Sequence, residues 1–306
     1  MNQNPEISVV MPVYNSEKFL IEAIESILNQ TYKNFEFLII YDDSSDNSLS
    51  IIKKFQEIDT RISLISGDKE GISGALNKGI DLAKGKFIAR MDSDDISIST
   101  RFEKQISHMQ KLGLDICGGH SLLIDSNSKI NGIGIMPRSH ELCGLSMMFM
   151  VPFPHPSVMI LRSFLINHSL KYIGKYEDFD LWTRMFTLGA KFGNIDDIVI
   201  HYRQLEISLS TINLIGARRY NRGVIKRFRL EQKRYISKVV EKIDINLLSE
   251  KEKSLVARYA INRVLTRFDI FMLRKLKGIS LKNIILVVLS EFQRLATKFT
   301  WWRFVK

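Results

Sequence analysis

Phe87-Ile88-Ala89-Arg90-Met91-Asp92-Ser93-Asp94-Asp95 is a strand-forming apolar run that ends in three carboxylates. Like charges this close raise one another's pKa unless a cation sits among them. Oxygen-only donors separated by a small serine suit a hard divalent ion, Mn²⁺ or Mg²⁺. The carboxyl end of a strand is also where open α/β sheets bind ligands. The competing reading is a solvated acidic turn that caps a helix beginning near Ser99.

Outward from this run, the first half of the chain alternates apolar strands with helical patterns. Residues 7–13, 35–41, 62–66 and 87–91 read as strands without polar alternation, and 116–124 as a broken fifth. Residues 17–30, 47–58 and 73–83 read as helices, the first with Phe19, Leu20, Ala23, Ile24, Ile27 and Leu28 on one stripe. Continuous apolar strands separated by helices imply an α/β protein with a mostly parallel sheet covered on both faces. Right-handed crossovers then bring the loops Pro12-Val13-Tyr14-Asn15, Asp42-Asp43-Ser44-Ser45 and Asp92-Ser93-Asp94-Asp95 to one edge. Residues 132–156, punctuated by Gly and Pro, read as an irregular substrate-side region. Residues 176–188 return to helix, with Glu177, Asp178 and Asp180 in the first turn, where acids favour the helix dipole.

The 306 residues carry a net charge of +11, unevenly placed. Residues 1–212 hold 21 Lys+Arg against 26 Asp+Glu (net −5), and residues 213–306 hold 23 against 7 (net +16). This asymmetry predicts an anionic partner for a basic, helical C-terminal region. Two cysteines, Cys117 and Cys143, are too few for a disulfide framework and fit a reducing compartment. The polar start, Met1-Asn2-Gln3-Asn4-Pro5-Glu6, lacks the pattern of a signal peptide. The apolar run at 284–289 is six residues, well short of the ~20 that cross a bilayer.

Five motifs in order carry a resemblance: Ser8-Val9-Val10-Met11-Pro12-Val13-Tyr14-Asn15, Asp42-Asp43-Ser44-Ser45-Asp46, Gly71 to Gly79, Asp92-Ser93-Asp94, and Glu177-Asp178. Over roughly residues 7–210 the chain resembles the inverting family 2 glycosyltransferases. The resemblance implies a GT-A fold, a nucleotide-sugar donor, UDP-linked here, and a divalent cation. It also implies Asp94 as the direct metal ligand with Asp92 nearer the sugar or ribose, and Asp43 on the base. Pro12, Tyr14, Glu17 and Asn77 then line the nucleotide side, and Asp178 is the base that deprotonates the acceptor. His155, fixed by Pro154 and Pro156, and Glu177 fall on the acceptor side. A structural histidine and a helix-opening acid are the plain readings of those two. Arg203 offers a cation to the diphosphate. Relatives often carry a histidine just after this arginine, where Leu205 stands here, which leaves the role of His201 open. Asp95 has no assigned role.

These readings divide the chain into a GT-A domain at 1–212 (donor half 1–128, acceptor half 129–212) and a basic helical region at 213–306. The function expected is transfer of one sugar to a glycan or lipid-linked acceptor in assembly of a surface polysaccharide such as lipopolysaccharide O-antigen or capsule. The Q-x-x-R-W motif of processive members is absent. The basic region, with Arg218, Arg219, Arg222, Lys226, Arg227 and Arg229 and then Trp301, Trp302, Arg303 and Phe304, suits the inner face of a cell membrane. Helical packing or oligomerisation is its alternative, and nucleic acid ranks below both for want of a recognised motif. A sugar nucleotidyltransferase is the rival enzyme, but it needs a Gly-rich basic loop after the first strand. A non-catalytic protein with a degenerate site is the other rival; it predicts no thermal response to UDP with Mn²⁺.

Overall fold

The structure is a computed structural model and describes residues 4–174, 177–205 and 214–267, with Leu276, Ile279, Ser280 and Ile284. Four strands, β1 (Ile7–Val13), β2 (Phe35–Tyr41), β3 (Ile62–Ser66) and β4 (Phe87–Arg90), lie parallel in the order β3-β2-β1-β4. They alternate with α1 (Glu17–Leu28), α2 (Ser48–Ile58) and α3 (Gly71–Leu82). The absence of polar alternation follows from two-sided burial. Val9 and Met11 of β1 face a core shared with Leu20, Ala23 and Ile24 of α1, while Val10 faces the opposite core with Leu76 and Ile80 of α3. Helix α3 comes close enough to β1 that a Cβ on Gly79 would lie 2.3 Å from Val10 Cγ1, so only glycine fits.

Beyond β4 the sheet becomes mixed. The short β5 (Ile96–Ser97) and α4 (Arg101–Leu112) lead to β6 (Ile116–Ile124) and its hairpin partner β7 (Ile130–Gly134). Strand β8 (Met159–Leu161) runs antiparallel between β4 and β6, and β9 (Phe192–Arg203) runs parallel to β6 and antiparallel to β5. Among the described residues the nine strands form one sheet, so residues 1–128 and 129–212 share a backbone ladder.

The region expected to be irregular, 132–156, instead contains the end of β7 and a helix, α5 (His140–Ser146). Ser139 caps α5 by accepting the Leu142 N–H at 3.3 Å, and Leu142, Cys143 and Leu145 are buried. About two turns are too short for helical periodicity to show in the sequence. Helices α6 (Arg162–Asn167) and α7 (Glu177–Thr187) follow.

Helix α8 (Leu214–Lys242) lays Val224, Phe228, Ile236 and Val240 into the core that holds Trp182 and Phe186 of α7. Helix α9 (Glu250–Arg267) adds Val256, Ala257 and Ala260, and its Glu252 forms an ion pair with Arg138 at 2.8 Å. The start of the basic region is thus part of the same core as α5 and α7. Two of its arginines bind back onto the body of the protein: Arg227, itself exposed, pairs with Asp180 at 2.6 Å, and Arg229 Nε donates to the Met148 carbonyl at 2.8 Å. The side chains of Arg218 and Arg219, residues 285–289 and the Trp301–Phe304 cluster lie outside the described residues. Among the described residues no helix is long and apolar enough to cross a membrane, and Cys117 and Cys143 are free and buried.

Candidate active site

Because β2, β1 and β4 are parallel neighbours, their carboxyl ends open onto one edge. Pro12 has no N–H to extend the ladder and falls beyond Val10↔Arg90, the last rung between β1 and β4. The loops past this point are stitched together by side chains. Asn15, in the left-handed region at φ 48°, accepts the Ser45 N–H at 2.9 Å and donates its own to Ser44 Oγ at 3.0 Å. Ser16 and Ser93 hydroxyls meet at 2.7 Å, tying the first loop to the acidic one.

The acidic loop offers carboxylate oxygens of Asp92, Asp94 and Asp95 that all lie within 4.8 Å of one another. Arg90, buried in β4, forms an ion pair with Asp92. Asp95 is 1% exposed; one oxygen accepts the Arg203 N–H at 2.7 Å, and the other, Oδ2, is buried with no partner. Burial, then the Asp92 charge, pushes Asp94 up to about 6, and the same causes raise Asp95 well above the usual carboxylate range. Three clustered carboxylates, one of them with an orphaned buried oxygen, form a donor set that fits a hard divalent cation. A metal ion bound there would stabilise negative charge on a diphosphate.

Opposite this loop stand the first turn of α7 and the His155 turn. Glu177 is buried and pushed up to about 7 by burial and then by Asp178. Asp178 is partly exposed, and one of its oxygens accepts the Phe179 N–H at 2.7 Å. Its pKa is raised chiefly by burial, with Arg90 opposing. Asp180 faces away, held by Arg184 at 2.7 Å and by Arg227. His155 places Nε2 3.1 Å from the Tyr172 hydroxyl and Nδ1 3.6 Å from Glu177. Burial, then the Arg90 charge, holds its pKa well below the usual value, so the ring is neutral. Arg90 is the common counter-charge, within electrostatic reach of Asp92, Tyr172, Glu177 and Asp178.

Of the residues expected at the site, the fold gathers Asp92, Asp94, His155, Glu177 and Asp178 around Arg90. Tyr14 is 66% exposed at the mouth, and Asp43 is exposed in an ion pair with Lys69 at 2.8 Å. Three others are engaged elsewhere. Glu17 accepts the backbone and side-chain N–H groups of Asn47 at 2.8 Å, bracing the start of α2. Asn77 takes both backbone groups of Tyr172. Arg203 has a side chain of 0% exposure; it donates to the carbonyls of Asp94 and Asp125 and pairs with Glu22 at 2.8 Å. Its guanidinium therefore fastens the acidic loop rather than facing the groove. His201 is half-buried on β9 and pairs in register with Ile96 and Leu122. Sequence reasoning missed Arg90 and Tyr172. An arginine inside an otherwise apolar strand, two residues before a carboxylate cluster, was the available signal for the first. Nothing local marks the second.

The sequence model of Glycosyl transferase family 2 matches residues 8–170. The O-antigen biosynthesis glycosyltransferase WbnJ of Escherichia coli is 32% identical over 202 residues, covering 64% of this chain and 79% of WbnJ. UDP-Glc:alpha-D-GlcNAc-diphosphoundecaprenol beta-1,3-glucosyltransferase WfgD of E. coli is 36% identical over 183 residues, covering 58% of this chain and 68% of WfgD. Among solved structures, S. aureus TarS 1–349 in complex with UDP-GlcNAc superposes with a TM-score of 0.55 at 17% identity, covering 92% of this chain and 79% of that one. The chain spans 44% of a longer TarS structure. The sheet with its flanking helices is the GT-A fold, and the chain belongs to glycosyltransferase family 2.

Proposed function

We propose that this enzyme transfers one sugar from a UDP-sugar to a glycan or lipid-linked acceptor, with inversion and with Mn²⁺ or Mg²⁺, in assembly of a surface polysaccharide. The observation that carries the reading is the pairing of Asp92, Asp94 and Asp95, with oxygens within 4.8 Å, and the raised acids Glu177 and Asp178 about a single buried arginine. The names of WfgD and of the TarS complex supply the donor class, and WfgD supplies a lipid diphosphate acceptor.

In this mechanism Asp94, Asp92 and Asp95 would hold the cation, with Arg90 fixing the Asp92 carboxylate. Pro12, Tyr14 and Asp43 border the base and ribose. Asp178 takes the proton of the acceptor hydroxyl as that oxygen attacks the anomeric carbon and the bond to the diphosphate oxygen breaks. One displacement inverts the centre. Burial and then Asp178 push Glu177 up to about 7, so it is about half protonated near pH 7, which lessens the negative charge it sets beside Asp178. Residues 1–128 serve the donor, 129–212 the acceptor, and 213–306 the membrane face, on the cytoplasmic side. The exposed side of α8, with Lys226, Lys233, Arg234 and Lys238 around Leu230 (70% exposed), supports that last assignment. Near anionic lipid each such cation contributes about 1 kcal/mol.

A screen of nucleotide sugars with Mn²⁺, reading UDP release with and without glycan acceptors, tests the activity. Turnover should need both the cation and Asp94. Hydrolysis that survives Asp94→Ala would refute the metal assignment, and no turnover of any UDP-sugar would refute the donor class. Flotation on phosphatidylglycerol vesicles should be lost in a Lys226→Glu/Arg234→Glu chain; undiminished flotation excludes the α8 face as the anchor.

A further inference from the structure

Helix α3 carries Ser73, Asn77 and Asp81 one turn apart, hence on one face. Each meets a different residue of the segment at 170–174 that precedes α7. Ser73 Oγ donates to the Gly174 carbonyl, and Asp81 pairs with Lys171 at 2.8 Å. Asn77 Nδ2 donates to the Tyr172 carbonyl at 2.9 Å, and its Oδ1 accepts the Tyr172 N–H at 2.8 Å. A primary amide is the one short side chain with a donor and an acceptor placed to satisfy both backbone groups of an extended residue. From the other side, Arg184 of α7 donates to the Lys171 carbonyl at 2.7 Å.

These contacts are unequal. The Lys171–Asp81 pair is 57% exposed on both sides and contributes little. The Ser73 contact is also exposed. The Asn77 pair is partly buried, and without it the backbone groups of Tyr172, a residue 3% exposed, lose their partners. Tyr172 passes the constraint on. Its hydroxyl meets His155 Nε2 at 3.1 Å, and its ring lies 5.4 Å from the His155 ring and 6.2 Å from Trp182. The far nitrogen of His155 faces Glu177 at 3.6 Å.

We propose that Asn77 and Tyr172 are positioning residues: a clasp that sets the acid pair of α7 in register with the donor-side helix α3. Asn77 then acts on Glu177 and Asp178 through Tyr172 and His155, not on the nucleotide. The proposal rests on the reading of that acid pair given above. A base displaced by about 1 Å costs on the order of 10²-fold in rate, so the clasp governs turnover and leaves donor affinity alone.

The test uses the full chain as parent, Asn77→Ala and Tyr172→Phe. UDP affinity with Mn²⁺ is read by calorimetry, sugar transfer by kcat and donor KM, and backbone order by hydrogen exchange. The expected result is UDP affinity within about twofold of the parent, unchanged donor KM, and kcat for transfer lowered by about 10- to 100-fold. Exchange should quicken at Tyr172 and in the first turn of α7 in Asn77→Ala. Tyr172→Phe keeps the Asn77 contacts and removes only the hydroxyl, so it carries the test if Asn77→Ala fails to fold. A tenfold loss of UDP affinity with kcat intact would return Asn77 to the nucleotide and overturn the clasp. Parental transfer rates and parental exchange in both variants would also overturn it. Absence of transfer in the parent itself would refute the activity, and exchange would still decide the clasp.

Discussion

Arg203 and Asp95 are joined across 108 residues by the Arg203 backbone N–H and Asp95 Oδ1 at 2.7 Å, so the end of β9 is bolted to the acidic loop. The Arg203 side chain repeats the bond on the next residue, donating to the Asp94 carbonyl at 2.7 Å, and lies 4.2 Å over the Phe19 ring. Arg203→Ala should cost about 3 kcal/mol of stability, because buried carbonyls and a desolvated site lose their donor. Arg203→Lys should be intermediate in denaturant unfolding, since an ammonium cannot span the same acceptors. Loss of UDP affinity at unchanged stability would instead assign this cation to the diphosphate.

Arg90 is the internal counter-charge of the acid cluster. Arg90→Met should destabilise the metal-free protein by about 3 kcal/mol, since Asp92 is left without its buried partner. Mn²⁺ should raise the melting temperature of this variant more than that of the parent, because the ion replaces the missing charge. Equal increments in the two proteins would show that Arg90 and the cation act at separate places.

Asp94 gives a pH signature with a defined sign. Its folded pKa of about 6 lies above the ordinary value of 3.8, so between those values the folded chain binds the proton more tightly than the unfolded one. The ionised group therefore destabilises the fold above pH 6, and that penalty is relieved as pH falls. Without metal, Asp94→Asn should melt a few degrees above the parent at pH 8, and the advantage should shrink below pH 6. Comparing variant with parent cancels the opposing titration of the buried histidines, His155 among them. An advantage that is constant from pH 8 to 5 would show that Asp94 is not raised.

The acid pair of α7 should separate by role. Asp178→Asn should lower transfer by about 10²- to 10⁴-fold with UDP affinity kept, the range expected for loss of a general base. Glu177→Gln should cost less, since the acid is already raised to about 7 and an amide resembles its protonated form. If the two effects were reversed, Glu177 would be the base.

How far the site was legible depended on the range of each interaction. Asp92 and Asp94 were readable because their meaning lies in four adjacent residues at a strand end. Asp178 was readable only through its resemblance to a motif, since an acid in a first helical turn has an ordinary explanation in the dipole. Glu17, Asn77 and Arg203 sit near the expected places, but their side chains meet partners 30, 95 and 109 residues away. No local pattern encodes those pairings. The basic cluster at 218–229 shows the same limit: charge density was plain, but Arg227 and Arg229 are engaged by Asp180 of α7 and by the Met148 carbonyl after α5.

By itself the sequence determined the four parallel strands, their helices and the acidic loop, because two-sided burial and strand-end chemistry are written in neighbouring residues. Tertiary structure alone decided which charges compensate which. Arg90 and Asp92 are two residues apart, yet only the closing of β8, α7 and the His155 turn over them excludes water. That desolvation is what raises Asp94, Asp95 and Glu177 and turns an acidic turn into a site poised for a cation.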